Sequence, residues 1–334
     1  MIVAVTGATE HLGLNLVRAL VARRQNVRAL IPGDSHNIRN LGVETLKGDT
    51  RDLLSLKRAF AGAEVVYHAA SFNSKSAADW PILEAINIGG TRNAVEACLE
   101  CGIKRLVHFS SFRAVVQEPL DVLMNEQRTL AEAEDCKDDD RSMAAAEREI
   151  RKGIEMGLDS VMLSPTGMIG PYDHQPSQIG ELLLDLVRGK VATLINEGFD
   201  WVDVRDVVQA ALRAQEISPT GAKYFLSGTW ASFKELAKLI EEITGKSAPR
   251  LIIPAWIARG GTPVVTAFNQ VTRQRLSVPN LPFREFGTCN SAISHERAIN
   301  ELGFQPRPLK QTLGETLKWY QEAGLLDRSI RLKT

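Results

Sequence analysis

The stretch MIVAVTGATEHLG, residues 1–13, decides the fold. Met1 to Thr6 is a short apolar run typical of a buried strand, and Gly7 allows a tight turn directly after it. From Leu12 to Arg23 the apolar residues recur at helical spacing. Strand, glycine turn and helix in this order indicate a loop that binds phosphate at a helix N-terminus.

Strand and helix patterns continue to alternate beyond this stretch. Further strands are predicted at Val27 to Ile31, Val43 to Lys47, Val65 to His68, Leu106 to Ser110 and Ser160 to Ser164. Helices are predicted at Leu53 to Ala61, Ile86 to Cys101 and Ser142 to Met156. This alternation predicts an α/β fold with a Rossmann-type, doubly wound parallel sheet and right-handed crossovers.

After residue 166 the strand and helix patterns no longer alternate regularly, which predicts a smaller C-terminal substrate lobe. We expect residues 1–166 to form a dinucleotide-binding-type Rossmann domain, to which the chain returns at about residues 200–230. The smaller lobe is then expected to take residues 167–199 and 231–330, with helices near Ser232 to Thr244 and Leu309 to Glu322.

Composition argues against several classes of protein. The 334 residues are 44% hydrophobic, and 40 Lys and Arg balance 40 Asp and Glu, so no net charge favours nucleic acid or an anionic membrane. The apolar start is too short to span a bilayer, and we expect a cytoplasmic protein. The chain has 4 cysteines, and the pair Cys98 and Cys101 lacks a second pair with metal-binding spacing, so no metal site is predicted.

Eight phrases in a fixed order carry a family resemblance. They are TGATEHLG at Thr6, GDTRD at Gly48, VVYHAAS at Val65, NIGGTRNAVEAC at Asn87, KRLVHFSS at Lys104, LSPTGMIGPYD at Leu163, WVDVRDV at Trp201 and LGFQPRPL at Leu302. From Met1 to about Leu326 the chain resembles the extended short-chain dehydrogenase/reductase superfamily, most of all its dihydroflavonol-reductase-like and sugar-epimerase-like members. The resemblance implies NAD or NADP as cofactor, a small-molecule or nucleotide ligand, and a homodimer through the helices at residues 86–101 and 142–156.

The resemblance also implies which residues hold the cofactor. They are Gly7, Thr9, His11, Leu12 and Gly13 around the diphosphate, Asp49 at the adenine, and Ala69, Ala70 and Pro165 at strand ends. Asp49 has an equally good interpretation as a turn or helix-cap residue. Relatives usually carry glycine at position 10, where this chain has Glu10.

Glu10 therefore puts cofactor binding in doubt. At ~4 Å its charge would repel a diphosphate by about 1 kcal/mol in bulk water and by about 4 kcal/mol at an effective dielectric of ~20. The alternative is that the side chain swings into solvent.

The catalytic pair of the family is replaced. Relatives use a tyrosine hydroxyl to exchange a proton with the substrate and a lysine four residues later to assist it. Here no tyrosine is followed four residues later by lysine, and alignment on RSMAAAERE places Asp139 and Met143 at the two positions. For the family serine we expect Ser111, although another register places Phe112 there. Tyr172 is the candidate substitute acid.

Two functions follow from this reading. The leading hypothesis is a reductase-like protein that binds a nucleotide or small metabolite between the lobes, without standard redox activity. It would sense or bind its ligand, or use Asp139 as a base in non-redox chemistry. The alternative is a working NAD(P)-dependent carbonyl reductase or nucleotide-sugar epimerase/dehydratase whose acid comes from Tyr172, water or the substrate.

Overall fold

A computed structural model describes residues 1–74, 79–132, 136–255 and 289–333. Its strands are β1 Ile2–Thr6, β2 Asn26–Ile31, β3 Glu44–Lys47, β4 Val65–His68, β5 Arg105–Phe109, β6 Ser160–Pro165, β7 Gly167–Ile169, β8 Thr193–Ile195, β9 Gly198–Asp203, β10 Lys223–Leu226, β11 Thr229–Ser232 and β12 Leu251–Ile253. Its α-helices are α1 His11–Ala22, α2 His36–Arg39, α3 Leu53–Phe60, α4 Trp80–Leu83, α5 Gly90–Glu100, α6 Asp138–Glu155, α7 Gln178–Val187, α8 Val204–Ile217, α9 Phe233–Thr244, α10 Glu296–Leu302 and α11 Leu309–Glu322.

The predicted Rossmann-type sheet is confirmed. Seven strands lie in the order β10-β6-β5-β4-β1-β2-β3, and every neighbouring pair is parallel. Helices α1 and α8 pack together on one face, while α3, α5 and α6 pack together on the other. Both faces are therefore covered, which explains why the strands are apolar runs rather than alternating patterns.

The second part of the chain adds two small sheets. One has the order β11-β9-β7 and the other pairs β12 with β8, and both pack with α7, α9 and α11 around a separate apolar core. Strand β10 leaves this part and joins the edge of the seven-stranded sheet beside β6. The division into two lobes stays a prediction, and residues 256–288 of the smaller lobe lie outside the described residues.

Two helices differ from their predicted bounds by more than one residue. Helix α6 begins at Asp138, four residues before the predicted start, because Asp138, Asp139 and Asp140 occupy its first turn, where negative charge is favourable. Helix α5 is preceded by a π-helical turn, Glu84–Gly89, whose hydrogen-bonded rings are wider than those of an α-helix. The prediction joined part of this turn and α5 into one helix.

Parallel strands place four loops at one edge of the sheet. Thr9 follows β1, Ala69 follows β4, Ser110 follows β5 and Thr166 follows β6. In open α/β sheets, ligands bind outside this carboxyl edge. Among the described residues, no helix is long and apolar enough to cross a membrane.

Candidate functional site

A cleft of about 640 Å³ lies at the carboxyl edge of the seven-stranded sheet. Its volume falls within the range of about 300–1,000 Å³ usual for small-molecule sites. Its wall includes the glycine loop after β1 and residues around Phe72, Arg113 and His174. The wall of this cleft is the candidate site.

Close backbone packing explains the two glycines of the loop. Gly7 has φ +67°, and a Cβ there would lie 2.6 Å from the Ala69 carbonyl carbon and from the Ala70 nitrogen. A Cβ on Gly13 would lie 2.1 Å from the Gly7 carbonyl oxygen. The loop, the first turn of α1 and the end of β4 are therefore pressed together, with Ala69 lining the cleft.

The N-terminus of α1 faces the cleft without a side-chain cap. Glu10 is the N-cap residue, but its carboxylate bonds to no backbone N–H of the first turn. The first N–H groups of a helix lack partners within the helix, and together with the helix dipole they attract anions. Thr9, His11 and Leu12 line the cleft beside them, an arrangement that can bind an anion.

Glu10 adopts a conformation open to any residue. Its φ of −85° and ψ of 168° are extended, so the loop does not need the glycine that relatives carry there. The side chain is exposed inside the cleft, yet the surrounding walls remove enough water to raise the pKa of Glu10 to about 7. Near neutral pH much of its charge is absent, and a diphosphate is compatible with the site.

The glycine loop is tied to the loop after β7. His11 Nε2 lies 3.1 Å from the Pro171 carbonyl oxygen, and Asn15 Nδ2 donates to the same oxygen at 2.9 Å. Tyr172 follows with φ 68°, its ring 3.8 Å from the Arg18 guanidinium carbon and 5.7 Å from the Trp319 ring. Tyr172 is thus held outside the cleft wall, and its predicted role as substitute acid gains no geometric support.

The remaining cofactor residues divide into two groups. Pro165, at the end of β6, lines the cleft as Ala69 does, and Ala70 packs its backbone on Gly7. Asp49 instead accepts hydrogen bonds from the backbone and side chain of Arg51, which lower the pKa of Asp49. Asp49 is not part of the cleft wall, and its bonds match the interpretation as a turn residue.

Asp139 and Met143 both line the cleft. The Asp139 carboxylate accepts hydrogen bonds from the Ser74 backbone nitrogen at 2.7 Å and from the Ser74 hydroxyl at 2.5 Å. It therefore anchors the segment after β4, whose Phe72 backbone is held by Asn87. Met143 is 9% exposed and presents an apolar side chain where relatives have an ammonium group.

Ser111 lines the cleft as the N-cap of a short 3₁₀ turn, Phe112–Ala114. Its hydroxyl oxygen accepts a hydrogen bond from the Arg113 backbone nitrogen at 3.2 Å. Ser110, its neighbour after β5, also lines the cleft, and its hydroxyl donates to Glu147 of α6 at 2.6 Å.

Sequence reasoning missed a charged cluster in the cleft wall. The Arg113 guanidinium donates to both carboxylate oxygens of Asp140, at 2.6 and 2.8 Å, and to the Cys289 sulfur at 2.7 Å. Lys137 lines the same wall, where desolvation and the Arg113 charge lower its pKa. These residues come from three distant segments, so no spacing in the sequence could have indicated them.

Much of the remaining wall is apolar. The side chains that give it this character are those of Phe72, Phe112, Met143, Met168, Ile179 and Phe199. Phe112 and Phe199 contact edge to face, with ring centroids 5.5 Å apart. These side chains suit the apolar part of a ligand.

The two histidines at neighbouring strand ends lie in the protein interior. His68 is bonded on both ring nitrogens, to Thr6 at 2.7 Å and to Thr91 at 3.2 Å, and it stacks on His108. Burial lowers the pKa of His68 to about 4 and that of His108 well below its ordinary value. Within the described ranges, no group of three or more His, Cys, Asp or Glu side chains is arranged to hold a metal ion.

Comparison with known proteins gives a consistent result. A family model described as the NAD dependent epimerase/dehydratase family matches residues 3–224. The chain is 33% identical to sterol demethylase protein B of Methylococcus capsulatus, over 98% of this chain and 100% of that protein. It is 28% identical to a putative dihydroflavonol 4-reductase of Synechocystis, over 96% and 94% of the two chains. The crystal structure of gox2253 is similar with a TM-score of 0.85 and 26% identity, covering 98% of this chain and 99% of that one.

Proposed function

Because the chain belongs to the NAD-dependent epimerase/dehydratase family, we propose that it is an NAD(P)-dependent oxidoreductase that interconverts an alcohol and a ketone on a large apolar substrate. The observation that carries this proposal is the shape of one cleft. It is lined both by the uncapped N-terminus of α1 and by aromatic and methionine side chains. The helix N-terminus suits a dinucleotide, and the apolar side chains suit a ring system.

The residues toward the dinucleotide fit this role. The first turn of α1 would hold the diphosphate, Gly7 and Gly13 keep the backbone close, and Ala69 with Pro165 would flank the nicotinamide half. When bound, the dinucleotide supplies or accepts the hydride. The test of the proposal includes both NAD⁺ and NADP⁺, since Asp34 after β2 pairs with Arg39 on the surface.

The substrate class is proposed from the apolar wall and from the relatives. The name of the Methylococcus relative refers to a sterol and that of the Synechocystis relative to a dihydroflavonol, both polycyclic alcohols or ketones. We favour a sterol-like substrate, because Phe72, Met168 and Phe199 offer little to bind a hydrated sugar. The expected non-redox binding protein gains no support from these names, and the working oxidoreductase is the better hypothesis.

The direct test combines binding with turnover. Calorimetry with NAD⁺ and NADP⁺ measures dinucleotide binding, and nicotinamide absorbance follows turnover with a 3β-hydroxysteroid, a dihydroflavonol and UDP-glucose as probes. We expect dinucleotide binding and turnover of the steroid. Absence of dinucleotide binding would refute the oxidoreductase, and turnover of UDP-glucose alone would favour a nucleotide-sugar epimerase.

A matched pair of variants tests the apolar wall. Phe72→Ala is expected to raise KM for the steroid, because it removes an aromatic side chain from the cleft wall. Leu54→Ala removes an exposed leucine of α3 outside the cleft and serves as the control. Equal KM values in the two variants would exclude Phe72 from the substrate site.

The predicted homodimer through residues 86–101 and 142–156 is also part of this proposal. Within one chain, α5 and α6 already pack together, and Arg92 pairs with Glu149 between them at 3.1 Å. Sedimentation velocity would measure the association directly.

A further inference from the structure

Three side chains on one face of α6 lead from the cleft toward the protein interior, and they are called the stripe below. Asp139, Met143 and Glu147 are spaced by four residues, so they share one face of the helix. The first two line the cleft, and Glu147 is buried with no exposed surface. The interior end of the stripe is therefore a carboxylate below the floor of the candidate site.

Ser110 joins this buried carboxylate to the cleft. The residue follows β5, lines the cleft wall, and its hydroxyl donates to Glu147 Oε1 at 2.6 Å. On the opposite side, Lys223 Nζ of β10 donates to both Glu147 oxygens, at 2.7 and 2.8 Å. A continuous chain of hydrogen bonds thus leads from the cleft through Ser110 and Glu147 to Lys223.

Stability alone is a weak reason for this arrangement. Lys223 is 5% exposed and Glu147 is not exposed at all, so both charges are removed from water. The cost of that desolvation offsets much of the attraction within a buried pair, and apolar residues of similar volume often serve as well. Burial in the protein also lowers the pKa of Lys223, even though the Glu147 carboxylate opposes the shift.

Other groups near the cleft are less suited to exchange a proton with a substrate. Asp139 is engaged by two donors of Ser74, Met143 has no exchangeable proton, and the Tyr172 ring lies outside the wall. Ser111 caps the 3₁₀ turn. Ser110 lines the wall, and its hydroxyl is bonded to a fully buried carboxylate that a buried ammonium group balances.

We propose that Ser110, Glu147 and Lys223 form the proton route that replaces the tyrosine and lysine of relatives. The inference rests on the proposed function. Ser110 would be the catalytic residue, because its hydroxyl would contact the substrate oxygen. Glu147 receives its proton, and Lys223 is a positioning residue that holds the carboxylate in place and balances its charge.

The step balances in the direction of alcohol oxidation. The substrate O–H bond breaks and its proton bonds to Ser110 Oγ, while the Ser110 proton passes to Glu147 Oε1. The electron pair left on the substrate oxygen forms the carbonyl bond, and the carbon gives up a hydride to the oxidised dinucleotide. After the product leaves, the proton returns through Ser110 to water in the cleft, and ketone reduction follows the same path in reverse.

Removing the hydroxyl tests the route in turnover. Ser110→Ala is expected to lower kcat by roughly 10²- to 10⁴-fold with little change in KM, and Ser110→Thr, which keeps a hydroxyl, to retain much of the activity. Ser55→Ala is the matched control, since it also removes a buried hydroxyl that donates to a carboxylate, Asp52, at 2.6 Å but lies outside the cleft wall. Its kcat is expected to equal that of the wild type.

A second measurement does not depend on turnover. In the cofactor-free protein, ¹³C NMR of labelled glutamate follows the Glu147 carboxyl carbon, assigned by its loss in Glu147→Gln. Ser110→Ala removes one donor to this carboxylate and is expected to shift the resonance, whereas Ser55→Ala leaves it in place.

The outcomes separate this inference from the proposed function. Wild-type turnover that survives Ser110→Ala would overturn the route and leave the oxidoreductase standing, as would an unmoved Glu147 resonance. Loss of turnover in Thr166→Val but not in Ser110→Ala would assign the step to another wall hydroxyl, that of Thr166, which donates to the buried carboxylate of Asp200. A wild type that binds no dinucleotide would overturn both.

Discussion

At the scale of single residues, we expect Glu10 to make the proposed dinucleotide binding depend on pH. Its pKa of about 7 means that the carboxyl is mostly neutral below that pH and mostly anionic above it. An anionic Glu10 repels the diphosphate, so affinity is present at low pH and lost as pH rises through 7. We expect the Kd for NAD⁺ or NADP⁺, measured by calorimetry, to rise about tenfold between pH 6 and pH 8.

The substitution Glu10→Gln isolates this effect. The amide cannot ionise, so the variant is expected to keep the low-pH affinity across the range. Glu322→Gln, an exposed change at the end of α11 outside the cleft, provides the control. A Glu10→Gln profile as steep as that of the wild type would show that another group is responsible.

The residues of the site differ in how far the sequence could predict them. Gly7, Gly13 and the cleft positions of Asp139 and Met143 follow from local spacing and from the family pattern. The partner of Asp139 could not be predicted, because Ser74 lies 65 positions away in the chain and its contact depends on how the segment after β4 folds back. Long-range partners of this kind leave no periodic signal in a single sequence.

At the scale of elements, β1 and α1 could be predicted from local sequence, whereas the start of α6 could not. The first strand and helix were predicted because their apolar periods are local and a glycine turn marks the boundary. The true start of α6 was missed because its first turn is acidic rather than apolar, and the favourable interaction with the helix dipole does not appear in a hydrophobic period.

Helix α9 offers an element-scale prediction of stability. Ser232 and Glu235 form a capping box, in which each side chain bonds to the other residue's backbone nitrogen. Ser232→Ala removes one of these bonds and leaves a helix N–H without its cap, at a cost of about 0.5–2 kcal/mol in the free energy of unfolding. Urea unfolding measures the change.

Ser177 supplies an informative comparison with Ser232. It caps α7 through Gly180 but also donates to the buried carboxylate of Asp173, so Ser177→Ala is expected to cost more than Ser232→Ala. Equal costs would indicate that the bond to Asp173 adds nothing in the folded protein.

At the scale of the whole molecule, the buried histidine pair links stability to pH. His68 and His108 have lowered pKa values in the folded protein, whereas unfolded histidine titrates near about 6.5. The unfolded chain therefore binds more protons below that pH, and stability is fully present above pH 6.5 and lost as pH falls toward 4. Each histidine contributes a slope of up to about 1.4 kcal/mol per pH unit in this window.

His108→Phe tests this linkage in urea unfolding at several pH values. Neither ring nitrogen of His108 has a hydrogen-bond partner among the described residues, so phenylalanine replaces the ring without breaking a bond. We expect a shallower loss of stability between pH 6.5 and pH 5 than in the wild type. His36→Gln, at an exposed position, is expected to keep the wild-type slope, and a steep slope in His108→Phe would contradict the assignment.

Strand β10 is the last strand of the seven-stranded sheet to be synthesised, which affects folding on the ribosome. Until residue 226 emerges, β6 is an open edge that offers its backbone to other chains, and the carboxylate of Glu147 has no ammonium group beside it. A nascent chain that ends before β10 thus has an unpaired edge strand, β6, and a Glu147 carboxylate without its ion-pair partner. Folding of the large sheet is completed by a segment that is translated only after β7, β8 and β9 of the small sheets.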